Sequence, residues 1–221
     1  MTLAERVAST ALNSASLVSG RLAASAAHAL FHMPLPRSAM RASERELFDR
    51  AHTEPIEVDG ASVMTCRWDE GTRPVLLAHG RQSRGSRLSS FVPALLDRGR
   101  SVITFDAPAH GDSTGRSTTV LDYRTAITAL HQRYGTFEAV AAHSLGALGS
   151  FFALEHGVTL RKVVTISGVC DFDLLIGLFS SSLGLRDRLR SRLREEAVAK
   201  RGGRRARRNP PALTDLLPPA Y

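Results

Sequence analysis

The chain has 221 residues, 43% of them hydrophobic, and a formal net charge of +8. That length and composition suit one compact domain with a sizeable core. They exclude a disulfide framework, because Cys66 and Cys170 are the two cysteines present, and two cysteines so far apart form no metal cluster either; a reducing, cytoplasmic compartment is expected. No run approaches the roughly 18 consecutive apolar residues of a membrane-spanning helix.

The charge is unevenly placed. Residues 186–208 hold eleven Lys or Arg against three acids, and the rest of the chain sums to zero. The basicity therefore belongs to a C-terminal stretch, and the main domain is neutral. A nucleic-acid or anionic-surface partner is the functional reading of that stretch. A solvated face is the plainer one, since the segment has no aromatic residue for base stacking.

In chain order, the first forty residues are rich in Ala and Ser, with the acid Glu5 and the bases Arg6, Arg21 and Arg37. This composition superficially fits an organelle-targeting leader. The helical spacing of Val18, Leu22, Ala26 and Leu30 instead predicts an N-terminal helix packed through that stripe, with helical structure to about Ala51. Ile56-Glu57-Val58, the turn Asp59-Gly60 and Ser62 to Arg67 read as a β-hairpin. Four short apolar runs follow: 74–78, 101–105, the strand 137–141 leading to Ser144, and 162–166. Helical segments are expected between them at Leu88–Arg98, Val120–Tyr134 and Leu145–His156, with Gly99 and Gly157 as stops. Continuous apolar strands alternating with helices imply a doubly wound, mostly parallel α/β sheet preceded by an antiparallel hairpin. The expected organisation is an N-terminal helical segment 1–51, an α/β core 52–180 and a basic tail 181–221, in which Arg186–Arg201 is a charged helix-like stretch and the run Gly202 to Pro211 reads as disordered.

Three strand ends carry chemistry. Ala142-His143-Ser144-Leu145-Gly146 joins a strand to a helix, with small residues two before and two after the serine. A tight turn there thrusts the hydroxyl out of the backbone, and the helix beginning at Leu145 aims free N–H groups at the same spot. Alone, the pattern equally describes a helix-capping serine. His79-Gly80-Arg81 closes the strand 74–78, and Asp106-Ala107-Pro108-Ala109-His110-Gly111-Asp112-Ser113 closes the strand 101–105. This ordered set resembles the α/β-hydrolase superfamily, in its esterase, lipase and peptidase-like branch, over roughly Ile56 to Asp173.

The resemblance implies an α/β-hydrolase fold and a serine hydrolase of ester or amide bonds that needs no cofactor and acts on a small-molecule substrate. Ser144 would be the nucleophile, and the backbone N–H groups of Arg81 and Leu145 the oxyanion hole. His79 and His110 are expected to organise loops rather than transfer protons, and His143 to shape the site. Phe172, Leu174, Leu175, Ile176, Leu178 and Phe179 hint at an apolar wall and an apolar acyl group.

The superfamily order is nucleophile, acid, histidine. After Ser144 the sole histidine is His156, about three turns along the next helix and directed away from the site. Asp171 and Asp173 could serve as the acid, or simply cap the following helix. The chain thus reads as a hydrolase fold incomplete at its C-terminus. A fragment or shifted reading frame is the favoured account, since 27 of the 29 basic residues are arginine, as out-of-frame GC-rich sequence produces. A non-catalytic relative that binds its ligand, or a partner supplying the missing parts, are the others. Exposed sheet edges would favour association.

Overall fold

The computed structural model describes residues 3–34, 37–69, 73–168 and 172–202. Its elements are α1 (Leu3–Val18), α2 (Gly20–His32), α3 (Ala42–Phe48), β1 (His52–Val58), β2 (Ala61–Trp68), β3 (Pro74–Ala78), α4 (Val92–Leu96) and β4 (Ser101–Phe105). They continue with α5 (Val120–Tyr134), β5 (Ala139–His143), α6 (Leu145–Glu155), β6 (Val163–Ile166), α7 (Phe172–Ser182) and α8 (Asp187–Gly202). These fall into two units rather than three consecutive stretches: a sheet unit running from α3 to β6, and a helical unit of α1, α2, α7 and α8.

In the sheet unit six strands are ordered β1-β2-β4-β3-β5-β6. The β1–β2 and β2–β4 pairs are antiparallel, and β4–β3, β3–β5 and β5–β6 are parallel. The hairpin turn falls at Asp59-Gly60, both with positive φ (49° and 78°), as a two-residue type I′ turn requires. Every residue of β3 and β4 is buried, which is why these segments read as unbroken apolar runs. β5 begins at Ala139, two residues later than its apolar run, so that it ends directly at the serine turn. The helix expected over Leu88–Arg98 is instead a 3-10 turn over Gly85–Phe91 followed by the short α4. Pro93 has no N–H for the carbonyl four residues back, so a continuous α-helix cannot pass through it.

α5 forms over its expected span, Val120–Tyr134, because Thr119 and Asp122 make a reciprocal capping box: the Thr119 hydroxyl accepts the Asp122 N–H and the Asp122 carboxylate accepts the Thr119 N–H. α6 packs against α5, and Gly149 permits the approach: a Cβ there would lie 2.5 Å from Cβ of Tyr123. This contact brings the middle of α5 underneath the site described below.

In the helical unit α1 lies against α2, α2 against α8 and α7 against α8. The expected buried stripe Val18, Leu22, Ala26 and Leu30 is not the one formed. Val18 and Leu22 are 92% and 72% exposed, Ala26 is exposed, and Ala23, Ala24, Ala27 and Phe31 are buried instead. The reason is the break at Ser19, whose extended backbone (φ −147°, ψ 102°) ends one helix and whose hydroxyl accepts the Leu22 N–H to cap the next. Periodicity counted across that break has the wrong phase. Within the basic tail, the charged helix-like stretch is α8, which buries Leu189, Leu193 and Ala197 at four-residue spacing and so packs rather than standing in solvent as a tail. Gly203 to Pro211 of the run read as unstructured, and the rest of the tail to residue 221, lie outside the described residues.

Candidate active site

Ser144 sits at the turn between β5 and α6 with φ +50° and ψ −116°. For a residue with a Cβ this backbone is strained by about 1–3 kcal/mol, and it persists where the surroundings over-determine it. Two glycines provide those surroundings. A Cβ on Gly146 would lie 2.5 Å from the carbonyl oxygens of both Ala78 and His79. A Cβ on Gly80 would lie 2.5 Å from His143 Nδ1 and 3.0 Å from the Ser144 Cβ. The loop after β3 is therefore packed directly against the serine turn, and His143 lies between them. Leu145 opens α6, where the N–H groups of Ala147 and Leu148 bond the Ser144 carbonyl at 3.0 and 3.4 Å, and the N–H groups of Leu145 and Gly146 stand ahead of the first helical bond.

The loops after β3 and β4 hold each other by exchanging histidines. His79 is fully buried; its Nε2 accepts the N–H of Ala107 at 2.9 Å, so Nδ1 carries the proton and donates to the Gly80 carbonyl at 2.7 Å. The Tyr123 hydroxyl, reaching up from α5, donates to the same carbonyl at 3.3 Å. His110, from the loop after β4, returns the exchange: its Nε2 accepts the N–H of Gln82 at 3.2 Å and its Nδ1 donates to Pro108 O at 3.1 Å. Burial drives His79 down to about 4 and His110 down to about 3, the latter assisted by the neighbouring His79, so both rings are neutral at ordinary pH. Burial likewise lifts the Tyr123 hydroxyl well above its usual range. The expected loop-organising arrangement of His79 and His110 is the one observed.

The exchange fixes Arg81 from both sides. The Gly80 carbonyl is pinned inward, and in a planar trans peptide the Arg81 N–H points the opposite way. The next N–H, of Gln82, is held by His110. Burial lowers the Arg81 guanidinium to about 10, which leaves it charged at neutral pH.

Asp106, almost fully buried, braces the same loops. Its carboxylate accepts the N–H of Gly85 at 2.8 Å and of Asp112 at 2.9 Å, and pairs with Arg84 at 3.2 Å; Arg84 also reaches Asp112 at 2.5 Å. A Cβ on Gly111 would fall 1.9 Å from Asp106 Oδ2, so the glycine of the H-G pair is a close-approach requirement. Arg37 donates to the carbonyls of Gly111, Ser113 and Gly115 and ties down the far side of that loop.

Of the sequence-predicted residues, the structure brings Ser144, Leu145, Gly80 and the backbone of Arg81 together. Asp173 belongs to α7 in the helical unit, where its carboxylate holds Arg194 of α8 through both oxygens. Asp171 lies outside the described residues. His156 is at the opposite end of α6 from Ser144, with Nδ1 bonded to the Phe152 carbonyl at 2.8 Å. Sequence reasoning missed Tyr123: a tyrosine inside a helix carries no signal that its hydroxyl ends beneath a loop 43 residues upstream. Asp106 was visible within its motif, but not its role as the acceptor that joins two loops. Among the described residues no group of three His, Cys, Asp or Glu side chains is placed to hold a metal ion.

A model of the alpha/beta hydrolase family matches residues 75–221, more than half of the sequence. The chain belongs to the α/β hydrolase family. Its strand order and the serine turn at the end of β5 are thus those of a family member. Similar solved structures include an epoxide hydrolase from Vigna radiata, at 21% identity over 54% of this chain and 39% of that one, with a TM-score of 0.49. Epoxide hydrolase A from Mycobacterium thermoresistibile is 22% identical over 52% of this chain and 38% of its own, with a TM-score of 0.47. A laboratory-evolved variant of potato epoxide hydrolase is 20% identical over 52% and 39%, also with a TM-score of 0.47. The α/β hydrolase chain described here spans well under half the length of each of these proteins. Comparison with proteins of curated function gives no match.

Proposed function

We propose that this α/β hydrolase cleaves ester or amide bonds through an acyl-enzyme on Ser144. The observation that carries the reading is the strained Ser144 backbone, held by Gly146 on one side and Gly80 on the other. A capping serine needs no such conformation, because an ordinary N-cap is extended, as at Ser19 (φ −147°) and Thr119 (φ −128°), where each hydroxyl accepts an N–H of its own helix. Ser144 makes no such cap bond.

In this mechanism the Ser144 Oγ attacks the substrate carbonyl carbon while a base takes its proton. The oxyanion that forms is met by the N–H of Leu145, assisted by the positive end of α6, and by the N–H of Arg81. Collapse expels the protonated alcohol or amine, and a water then cleaves the acyl group from Oγ. The base is not His79 or His110, whose two ring nitrogens are each committed to a backbone group, nor His156 at the far end of α6. None of these three histidines therefore takes the Ser144 proton.

Intact mass of the protein before and after a fluorophosphonate probe tests the proposal, with Ser144→Ala as control. One adduct, lost in the Ala variant, is expected. An adduct that survives in Ser144→Ala, or ester turnover undiminished by that substitution, would overturn it.

A further inference from the structure

The outward side of α1 departs from the usual helix pattern, in which polar residues face water. Leu3, Val7, Leu17 and Val18 share one face of this helix with Thr10 and Ser14, and the four aliphatic side chains are 77%, 61%, 73% and 92% exposed. Leu22 carries the surface across the break at Ser19 and is 72% exposed. The acid of α1, Glu5, lies on the opposite side of the helix and is half-buried.

The borders of this face are cationic. Arg6 and Arg21 flank it along α1 and α2, both exposed. Arg192 of α8 lays its guanidinium against Gly20, where a Cβ would lie 2.9 Å from Nε, beside Val18 and Leu22. Arg186, just ahead of α8, is held against α1 by its backbone N–H, which donates to Asn13 Oδ1 at 3.0 Å. Arg188 follows on α8, whereas Arg190 turns to Gly177 of α7; against the acids Asp187, Glu195 and Glu196 of the same helix, the five bases Arg6, Arg21, Arg186, Arg188 and Arg192 leave the surroundings of the face net positive.

We infer that this face is a docking surface for an anionic lipid bilayer, on which the helical unit lies without crossing. Exposed aliphatic side chains enter the boundary between headgroups and acyl chains, and the bordering arginines meet lipid phosphates. Charge selects this occupant. A second copy would set one cationic border against another, which repels. A nucleic acid would neutralise the arginines but leave five aliphatic side chains in water. Among the described residues no helix is long and apolar enough to cross a membrane, so the contact is peripheral.

Flotation of the full 221-residue chain with phosphatidylcholine vesicles, with and without phosphatidylglycerol, tests this. The variant carrying Val7→Gln, Leu17→Gln and Val18→Gln changes exposed positions to a good helix former, and its thermal unfolding by circular dichroism should match the parent. Parent binding to the phosphatidylglycerol vesicles is expected to weaken with salt, and to fall about tenfold or more in the triple variant. Arg21→Gln with Arg192→Gln should weaken it as well, while adding little to an already weak affinity for phosphatidylcholine alone. Undiminished binding by the triple variant, equal partition between the two vesicle types, or no binding to either would overturn the inference. So would a concentration-dependent dimer that the triple variant abolishes, since that would make a second copy the occupant.

Discussion

Gly146→Ala isolates the steric demand of the serine turn from the ordinary cost of changing a glycine. The added methyl would sit 2.5 Å from two backbone oxygens, those of Ala78 and His79, and 2.9 Å from the Ala78 carbonyl carbon. None of these atoms belongs to a side chain that can rotate away; they are the end of β3 and the start of its loop. Relief requires α6 to move off the sheet or the turn to open. Overpacking of this kind costs about 1–3 kcal/mol, and contact with fixed backbone on two sides places this substitution at the upper end, about 3 kcal/mol. Gly157→Ala is the matched control. Its φ is +91° and nothing lies within 4 Å of the place its added methyl would occupy, so it carries conformational strain without a clash, about 1–2 kcal/mol. Urea unfolding followed by circular dichroism gives both values if the slopes agree. A Gly146→Ala protein destabilised no more than Gly157→Ala would refute the reasoning that close approach of the β3 loop creates the turn. Because the same displacement moves the Leu145 N–H relative to Ser144, the fluorophosphonate rate should also fall, whereas Gly157→Ala should leave it unchanged.

Acid should destabilise the sheet unit through its two buried histidines. Their folded values are depressed to about 4 and about 3 against an ordinary 6.5, so the unfolded chain takes up protons first. Stability is full above about pH 6.5 and declines as pH falls towards those folded values, by about 2 kcal/mol per histidine at about pH 5. Unfolding free energy measured at a series of pH values checks this, and a profile flat from about pH 7 to about pH 5 would contradict neutral, engaged rings. Tyr123→Phe removes one of two donors to the Gly80 carbonyl while His79 keeps the other. A modest loss of about 1–2 kcal/mol is expected, together with slower labelling of Ser144 as the Arg81 N–H loosens; unchanged labelling would mean that His79 alone sets that peptide.

The parts of the fold legible in the sequence are those governed by local chemistry. The Asp59-Gly60 turn, the capped span of α5 and the wholly buried strands β3 and β4 follow from turn residues, a capping box and unbroken apolar runs. What escaped depends on where separate segments meet. The phase of the N-terminal helices was lost at a single serine, since Ser19 restarts the helix and turns Val18 and Leu22 outward. The spacing of Leu189, Leu193 and Ala197 was present in the Arg-rich stretch, but its charge masked a buried stripe that α2 completes through Ala23 and Ala27. The site divides in the same way. Ser144, Gly146, His79 and Gly80 stand in motifs because the strand-to-helix turn and the adjoining loop are local. Tyr123 stands in none, because its hydroxyl matters only once α5 lies beneath the β3 loop. That difference gives the two kinds of residue different consequences: altering Gly146 distorts the turn itself, whereas altering Tyr123 leaves the turn in place and loosens the peptide facing it.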